Sequence, residues 1–492
     1  MEREEESACL KAKIGRSKSM MKEGYSVEHP IIPQSFSPEL QNHLSGRHLL
    51  ASEIPFSEAM ILDHLNNGHI AQTSGVQSRN GQLTCVRCGN KDQSMFYAFP
   101  CRICNRDCAY CRSCIMMGRV SECARLYHWT GPELLYAIPD QVMRWDGMLS
   151  GGQQTASQRV IDAVNEKGEL LVWAVCGAGK TEVLFPAIKT ALLAGKRICL
   201  ATPRTDVVLE LSPRLKKAFP EIDVAALYGG SADRDRPAQL IISTTHQLFR
   251  FIEAFDVIIV DEVDAFPYSA DASLRHAVNK SKKASASTIY LTATPSKRMQ
   301  RLHRSGKLKA VTIPARYHRQ PIPVPEMTWG GNWQKKFHGK KIPPVISRWV
   351  SDRLSQNTPF LLFFPSIQVL EQVVPLFHTL SPNLNIVHSR HPKRKERVMA
   401  LRNGEVPGLL TTTILERGVT IERLEVAVIG SEHEVFSENA LVQIAGRVGR
   451  SSAHPHGTIT FFHYGKSKAM IEAIHHIQMM NKAARERGLL DA

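Results

Sequence analysis

One segment constrains the fold more than any other. The apolar run Leu170–Val175 passes into Gly177-Ala178-Gly179-Lys180-Thr181-Glu182, and an amphipathic helical pattern, Glu182–Ala194, follows. A strand that enters a glycine-bearing loop and leaves as a helix belongs to a parallel sheet covered on both faces. The surrounding chain agrees. Arg197–Ala201, Ala238–Ser243, Val257–Val260 and Ser287–Leu291 read as buried strands, with a further helical pattern at Val207–Ala218. The alternation stops near residue 300. It passes a basic stretch and Pro321, Pro323 and Pro325, then resumes with Pro359–Phe364, Asn385–His388, Leu409–Thr413, Val426–Gly430 and Thr458–Phe462. The expected fold class is α/β, in two tandem domains.

The loop has a chemistry of its own. Gly177 and Gly179 let the backbone wrap closely around phosphate, and the amides at the following helix N-terminus point at the anion. Lys180 then reaches the β- and γ-phosphates of ATP and Thr181 holds Mg²⁺, with Ala178 and Glu182 completing the cradle. Asp261-Glu262-Val263-Asp264 directly follows an apolar strand. At that strand end, Asp261 can hold the metal and Glu262 can orient the attacking water as general base. An acidic quartet is ordinarily a solvated loop; its position after a buried strand argues otherwise.

These residues resemble a superfamily 2 helicase, a pair of RecA-like P-loop domains, and the likeness continues downstream. Thr292-Ala-Thr294-Pro295 looks like the motif that couples hydrolysis to domain movement. Ala201–Arg204 and Ser243–Gln247 look like strand-contacting motifs, whose hydroxyls and amides suit phosphate. Phe360–Ser366 and Val387–Ser389 follow in the second domain. Thr411–Val419 resembles the fifth motif, which implies that Gly418 meets nucleotide. Gln443-Ile-Ala-Gly446-Arg447-Val-Gly449-Arg450 is the most specific match there, and Arg447 or Arg450 is expected to act as an arginine finger. Leu149–Gln153 lies where related translocases place an adenine-reading glutamine, so Gln153 is a candidate nucleotide contact. The family's usual first loop glycine is Ala174 here.

Eight of the 11 cysteines fall between Cys85 and Cys123. Clustered thiols in a chain without a signal-peptide core suggest metal rather than disulfides. Cys85-Val-Arg-Cys88-Gly and Cys111-Arg-Ser-Cys114 supply four thiolates for tetrahedral Zn²⁺. Cys101, Cys104, Cys108 and Cys123 stand outside that choice as second-site ligands or bystanders. An iron–sulfur cluster and free thiols are the rival readings. The net charge of +16 favours a polyanionic partner, nucleic acid or anionic lipid. No apolar run has the length of a membrane span, which makes a cytoplasmic protein, or one peripheral to the membrane, the expectation.

A four-cysteine module ahead of such a motor resembles the ComFA-type late competence proteins, the cue being Tyr110-Cys-Arg-Ser-Cys-Ile-Met-Met-Gly-Arg119 followed by the Gln153 region and the phosphate loop. The motor is also similar to PriA-type helicases, whose cysteines interrupt the second domain instead. The resemblance implies an ATP-dependent translocase of single-stranded DNA in natural competence. It would act at the inner face of the membrane beside the uptake channel and the companion protein ComFC. An RNA helicase or remodeller, a replication-restart helicase, and a zinc-dependent scaffold with a switching ATPase remain alternatives. The expected boundaries are a polar region at 1–75, a zinc module and bridge at 76–145, a first RecA-like domain at 146–310, a linker at 311–345 and a second domain at 346–492.

Overall fold

The computed structural model describes residues 35–417 and 421–491; Gly418 lies outside them. The N-terminal third supplies seven strands: β1 (Leu49–Leu50), β2 (Ile70–Ser74), β3 (Val76–Arg79), β4 (Gln82–Cys85), β5 (Phe96–Cys101), β6 (Arg106–Cys111) and β7 (Arg125–Trp129). Strands β1, β7 and β2 form an antiparallel sheet in that order, and β3–β4 and β5–β6 are hairpins. Helices Pro38–Leu44 and Glu58–Asn66 bury Leu40, Leu44 and Ile61 against Leu49, Ile70 and Tyr127. The boundary expected at residue 75 therefore cuts through one folded unit. Its sheet joins residues that are distant in sequence, Leu49 to Tyr127 and Ile70 to Trp129, which local patterning does not register.

The first α/β domain carries β8 (Glu169–Ala174), β9 (Ile198–Thr202), β10 (Val224–Leu227), β11 (Leu240–Thr244), β12 (Phe255–Val260), β13 (Lys282–Thr292) and β14 (Lys309–Ile313). All pair in parallel, in the order β10-β11-β9-β12-β13-β8-β14. The second domain carries β15 (Glu326–Trp329), β16 (Phe360–Phe363), β17 (Asn385–Val387), β18 (Gly408–Thr411), β19 (Glu425–Ile429) and β20 (Ile459–His463), also parallel, in the order β15-β20-β19-β16-β18-β17. The linker expected at 311–345 is shorter than that. Its first residues belong to β14, and Glu326–Trp329 is already an edge strand of the second sheet. Both edge strands sit among Lys, Arg and Pro, where the apolar signature of a central strand is absent.

The three units share interfaces. Cys85, Cys88, Cys111 and Cys114 pack in one apolar cluster with Leu248, Phe251 and Leu274 of the first domain. Glu53 accepts from Arg250 Nε and from Arg234, both at 2.9 Å, and Arg47 pairs with Asp235 at 3.2 Å. The C-terminal helix Lys468–Glu486 leans back on the first domain: His476 meets the Trp173 ring edge-on, and Asn481 bonds both backbone groups of Ile322.

Candidate nucleotide and metal sites

Parallel register brings the carboxyl ends of β8, β9, β12 and β13 to one edge, with Val260 opposite both Ala201 and Tyr290 and Thr292 opposite Trp173. Ligands of open α/β sheets bind at such an edge. The phosphate loop leaves β8 there, and its helix starts at Lys180. Gly179 has φ +68°, and an added Cβ would come within 2.4 Å of Gln153 Nε2, so both backbone angle and space require glycine. Gln153 is buried with both ends of its amide engaged: Nε2 donates to Ala178 O at 2.9 Å and Oε1 accepts from Ser150 N at 2.8 Å. Gln153 thus braces the loop from behind.

Asp261 and Glu262 follow β12. Burial and the neighbouring Glu262 raise the Asp261 carboxyl to about 6, against the pull of Lys180 and Arg417. Glu262 has φ +54°, a left-handed conformation that costs a non-glycine residue roughly 1–3 kcal/mol. Its Oε1 lies 3.2 Å from Arg417, while Oε2 is buried without a hydrogen-bond partner. Asp264 accepts from Thr292 Oγ1 at 2.6 Å, from Thr294 Oγ1 at 2.7 Å and from Arg417 at 2.5 Å. One buried carboxylate thus joins the second, third and fifth motifs across the two domains.

The Gly446–Arg450 segment of the second domain is seated on the phosphate loop. Cys176 Sγ donates to Gln443 Oε1 at 3.2 Å, and a Cβ on Gly446 would come within 2.5 Å of the Cys176 side chain. Arg447 is buried and its Nε donates to Glu416 O at 2.8 Å. Burial first, and then the charge of Arg450, hold the Arg447 guanidinium well below its ordinary range. Arg450 Nε bonds Gly446 O at 2.9 Å, so the two arginines share the segment but not its surroundings. Arg316 passes over Gly177 and donates to Val448 O at 2.7 Å and to Gly449 O at 2.5 Å. Sequence reasoning missed Arg316, which stands at no spacing that marks it among the 62 Lys and Arg, and the pairing of Arg417, which lies in the marked Thr411–Val419 segment but was given no role.

The hydroxyls expected to contact a strand lie at the carboxyl ends of β9 and β11. Thr202 ends β9, Ser243 lies within β11 and Thr245 opens the helical turn that follows β11; all three are buried. Arg204 is half-buried, with its guanidinium on Asp206, which also meets Arg394 of the second domain at 3.5 Å.

The chosen cysteines converge. All four Sγ atoms lie within 4.8 Å of one another, with Cys85 to Cys114 at 3.8 Å and Cys88 to Cys111 at 3.7 Å. Tetrahedral zinc–thiolate bonds of about 2.3 Å put sulfurs about 3.8 Å apart, so the set fits the ion. Asn90 Nδ2 points at Cys111 Sγ from 3.8 Å, an outer-shell donor to thiolate. Gly89, at φ +71°, closes the Cys85–Cys88 turn against the His276 ring, where a Cβ would come within 2.5 Å.

Comparison with known proteins follows the same division. The family described as competence protein ComFA N-terminal domain matches residues 33–128, type III restriction enzyme, res subunit matches 147–297, and helicase conserved C-terminal domain matches 344–452. The chain is 49% identical to competence protein ComFA of Bacillus subtilis (strain 168) over 450 residues, 92% of this chain and 96% of that one. It is 37% identical to competence protein ComFA of Streptococcus pneumoniae over 412 residues, 83% of this chain and 93% of that one. Among solved structures, the fold matches RecG bound to a three-way DNA junction with TM-score 0.50 at 18% identity, covering 70% of this chain and 47% of that one. The DEAD-box helicase Mss116 bound to single-stranded RNA matches with TM-score 0.50 at 13% identity, over 70% of this chain and 83% of that one. The chain belongs to the ComFA family of competence proteins, and its two α/β domains are those of a superfamily 2, nucleic-acid-dependent ATPase.

Proposed function

We propose that the chain is an ATP-driven translocase of single-stranded DNA that serves the uptake of transforming DNA. The observation that supports this is the seating of the arginine-bearing Gly446–Arg450 segment on the phosphate loop of the other domain, with Gln443 and Gly446 against Cys176. Bound ATP with Mg²⁺ supplies the scissile phosphoanhydride and the charge that these groups answer. Lys180 would hold the terminal phosphates, Thr181 and Asp261 would be the metal's protein ligands, and the half-buried Glu262 would orient water. Arg447, with Arg450 beside it, stabilises charge on the transferred phosphoryl group. Asp264 reports the state of this site through Thr292, Thr294 and Arg417, so that closure and hydrolysis move together. Zn²⁺ on Cys85, Cys88, Cys111 and Cys114 has a structural role, because the module around it is too small for a large core of its own.

The DNA assignment rests on membership of a competence family and on the net charge of +16. In this reading the protein works at the cytoplasmic face of the membrane with ComFC and the DNA channel, as the family resemblance implies; none of the described helices is long and apolar enough to cross a bilayer. The test is the ATP turnover rate with single-stranded DNA, duplex DNA and RNA at matched nucleotide concentration and salt. Stimulation chiefly by single-stranded DNA is expected. Stimulation chiefly by RNA overturns the DNA assignment while leaving the ATP site intact.

A further inference from the structure

The four cysteines outside the first set also gather. Cys101, Cys104, Cys108 and Cys123 present Sγ atoms that all lie within 4.8 Å of one another, and none of them is in a disulfide. Cys101 ends β5, Cys104 lies in the hairpin turn, Cys108 lies in β6, and Cys123 enters from the segment before β7. That segment is fixed beside β6 by Glu122, whose N–H donates to Ala109 O at 3.0 Å and whose carboxylate accepts from Ala109 N at 2.8 Å.

Two further features point to a metal. The turn Cys101-Arg-Ile-Cys104-Asn105 repeats the turn of the first set. Asn105 N donates to Cys101 O at 2.8 Å with Asn105 at φ +51°, and Gly89 N donates to Cys85 O at 2.8 Å with Gly89 at φ +71°. The same bond and the same left-handed residue after the second cysteine shape both pairs. Cys101 and Cys108 are also buried, yet they belong to no apolar cluster among the described residues, whereas the first four thiols share a core with the motor domain. Around the tip, Arg102, Ile103, Arg106 and Asp107 are exposed, so no apolar packing holds it together. A tip with buried thiols and no core needs another source of cohesion.

We propose that Cys101, Cys104, Cys108 and Cys123 form a second tetrathiolate zinc site, interleaved along the chain with the first. The order of ligands is first, first, second, second, second, first, first, second, and the β5–β6 hairpin carries ligands of both sites. Binding Zn²⁺ to four thiols releases their protons to solvent and changes no oxidation state.

The experiment uses the full chain. Metal analysis of the purified protein should give two zinc ions per chain and no iron; one zinc, or iron with visible absorption, overturns the proposal. Titrating thiols with a mercurial in the presence of a zinc-chelating dye should release two zinc ions as the eight clustered cysteines react. Cys108→Ser should retain one zinc, and retention of two would refute the assignment. Because that substitution can unfold the tip, Co²⁺ replacement of the wild-type protein supplies a second reading. Absorption of tetrahedral cobalt thiolate should rise linearly to two equivalents, and saturation at one would sink the second site. Cys88→Ser, in the first set, separates failure of the first assignment from failure of this one.

Discussion

Arg417→Ala tests the proposed coupling most directly. The Arg417 side chain is 4% exposed and faces Asp264, itself 1% exposed, across the domain boundary. Opposite charges about 4 Å apart attract by about 4 kcal/mol at an effective dielectric of 20. Removing one partner of a buried pair costs about 3–5 kcal/mol by experience with other proteins. Asp264 recovers part of this by taking up a proton while keeping the hydroxyls of Thr292 and Thr294. A net loss of about 3 kcal/mol lowers the closed-to-open ratio on the order of 10²-fold. The assay pairs DNA-stimulated turnover with energy transfer between dyes on the two domains. Both signals should fall together in Arg417→Ala, and Arg417→Lys should recover little, because an ammonium cannot bridge two carboxylates as a guanidinium does. The sign with pH follows from Asp264. Burial pushes its carboxyl up, but Arg417, Thr292 and Thr294 outweigh that and hold it below the ordinary carboxylate range. The contact therefore persists at neutral pH and is lost as pH falls through the lowered value. Wild-type turnover and wild-type closure in Arg417→Ala would refute the coupling.

Three further outcomes are expected. Arg447→Ala should lower kcat by about 10³-fold with little change in ATP affinity; a fall no larger than that of Arg304→Ala, at an exposed position, would remove Arg447 from the phosphoryl site. Gly179→Ala should weaken binding of a fluorescent ATP analogue at least tenfold, on the order of 1–2 kcal/mol from the left-handed backbone alone, before the clash with Gln153; an unchanged Kd would contradict the observed loop. Glu53→Gln should destabilise the N-terminal unit and the first domain together, by about 3 kcal/mol for a buried partner of Arg250 and Arg234; calorimetry showing a separate early transition of the N-terminal unit would deny that they melt as one.

Much of this was legible in the sequence where chemistry and periodicity coincide. The glycine loop, Asp261-Glu262 and Gly446–Arg450 each combine scarce residue types with a strand or helix beside them, and the structure gathers all three at one cleft. Residues whose role comes from tertiary pairing alone were silent. Arg316 acts through backbone carbonyls and leaves no local pattern, while Arg417 stands in a marked segment whose partner, Asp264, lies on another domain. The positive φ of Glu262 is likewise a property of the folded chain. The two-residue β1 is too short to register, and the edge strands β14 and β15 escaped because they sit among Lys, Arg and Pro without the apolar run of a central strand. Gln153 lies beside the loop and also closes a capping box with Ser150, a pairing whose Ser-x-x-Gln spacing is written in the sequence.

The docking of the N-terminal unit bears on how force is delivered. The hydrogen bonds of Glu53, the pair of Arg47 with Asp235, and Arg197 reaching Ser45 O at 2.8 Å tie that unit to the first motor domain. In the motor proposed above it is the stator: as the second domain moves against the first, the cysteine-bearing hairpin stays with the phosphate loop.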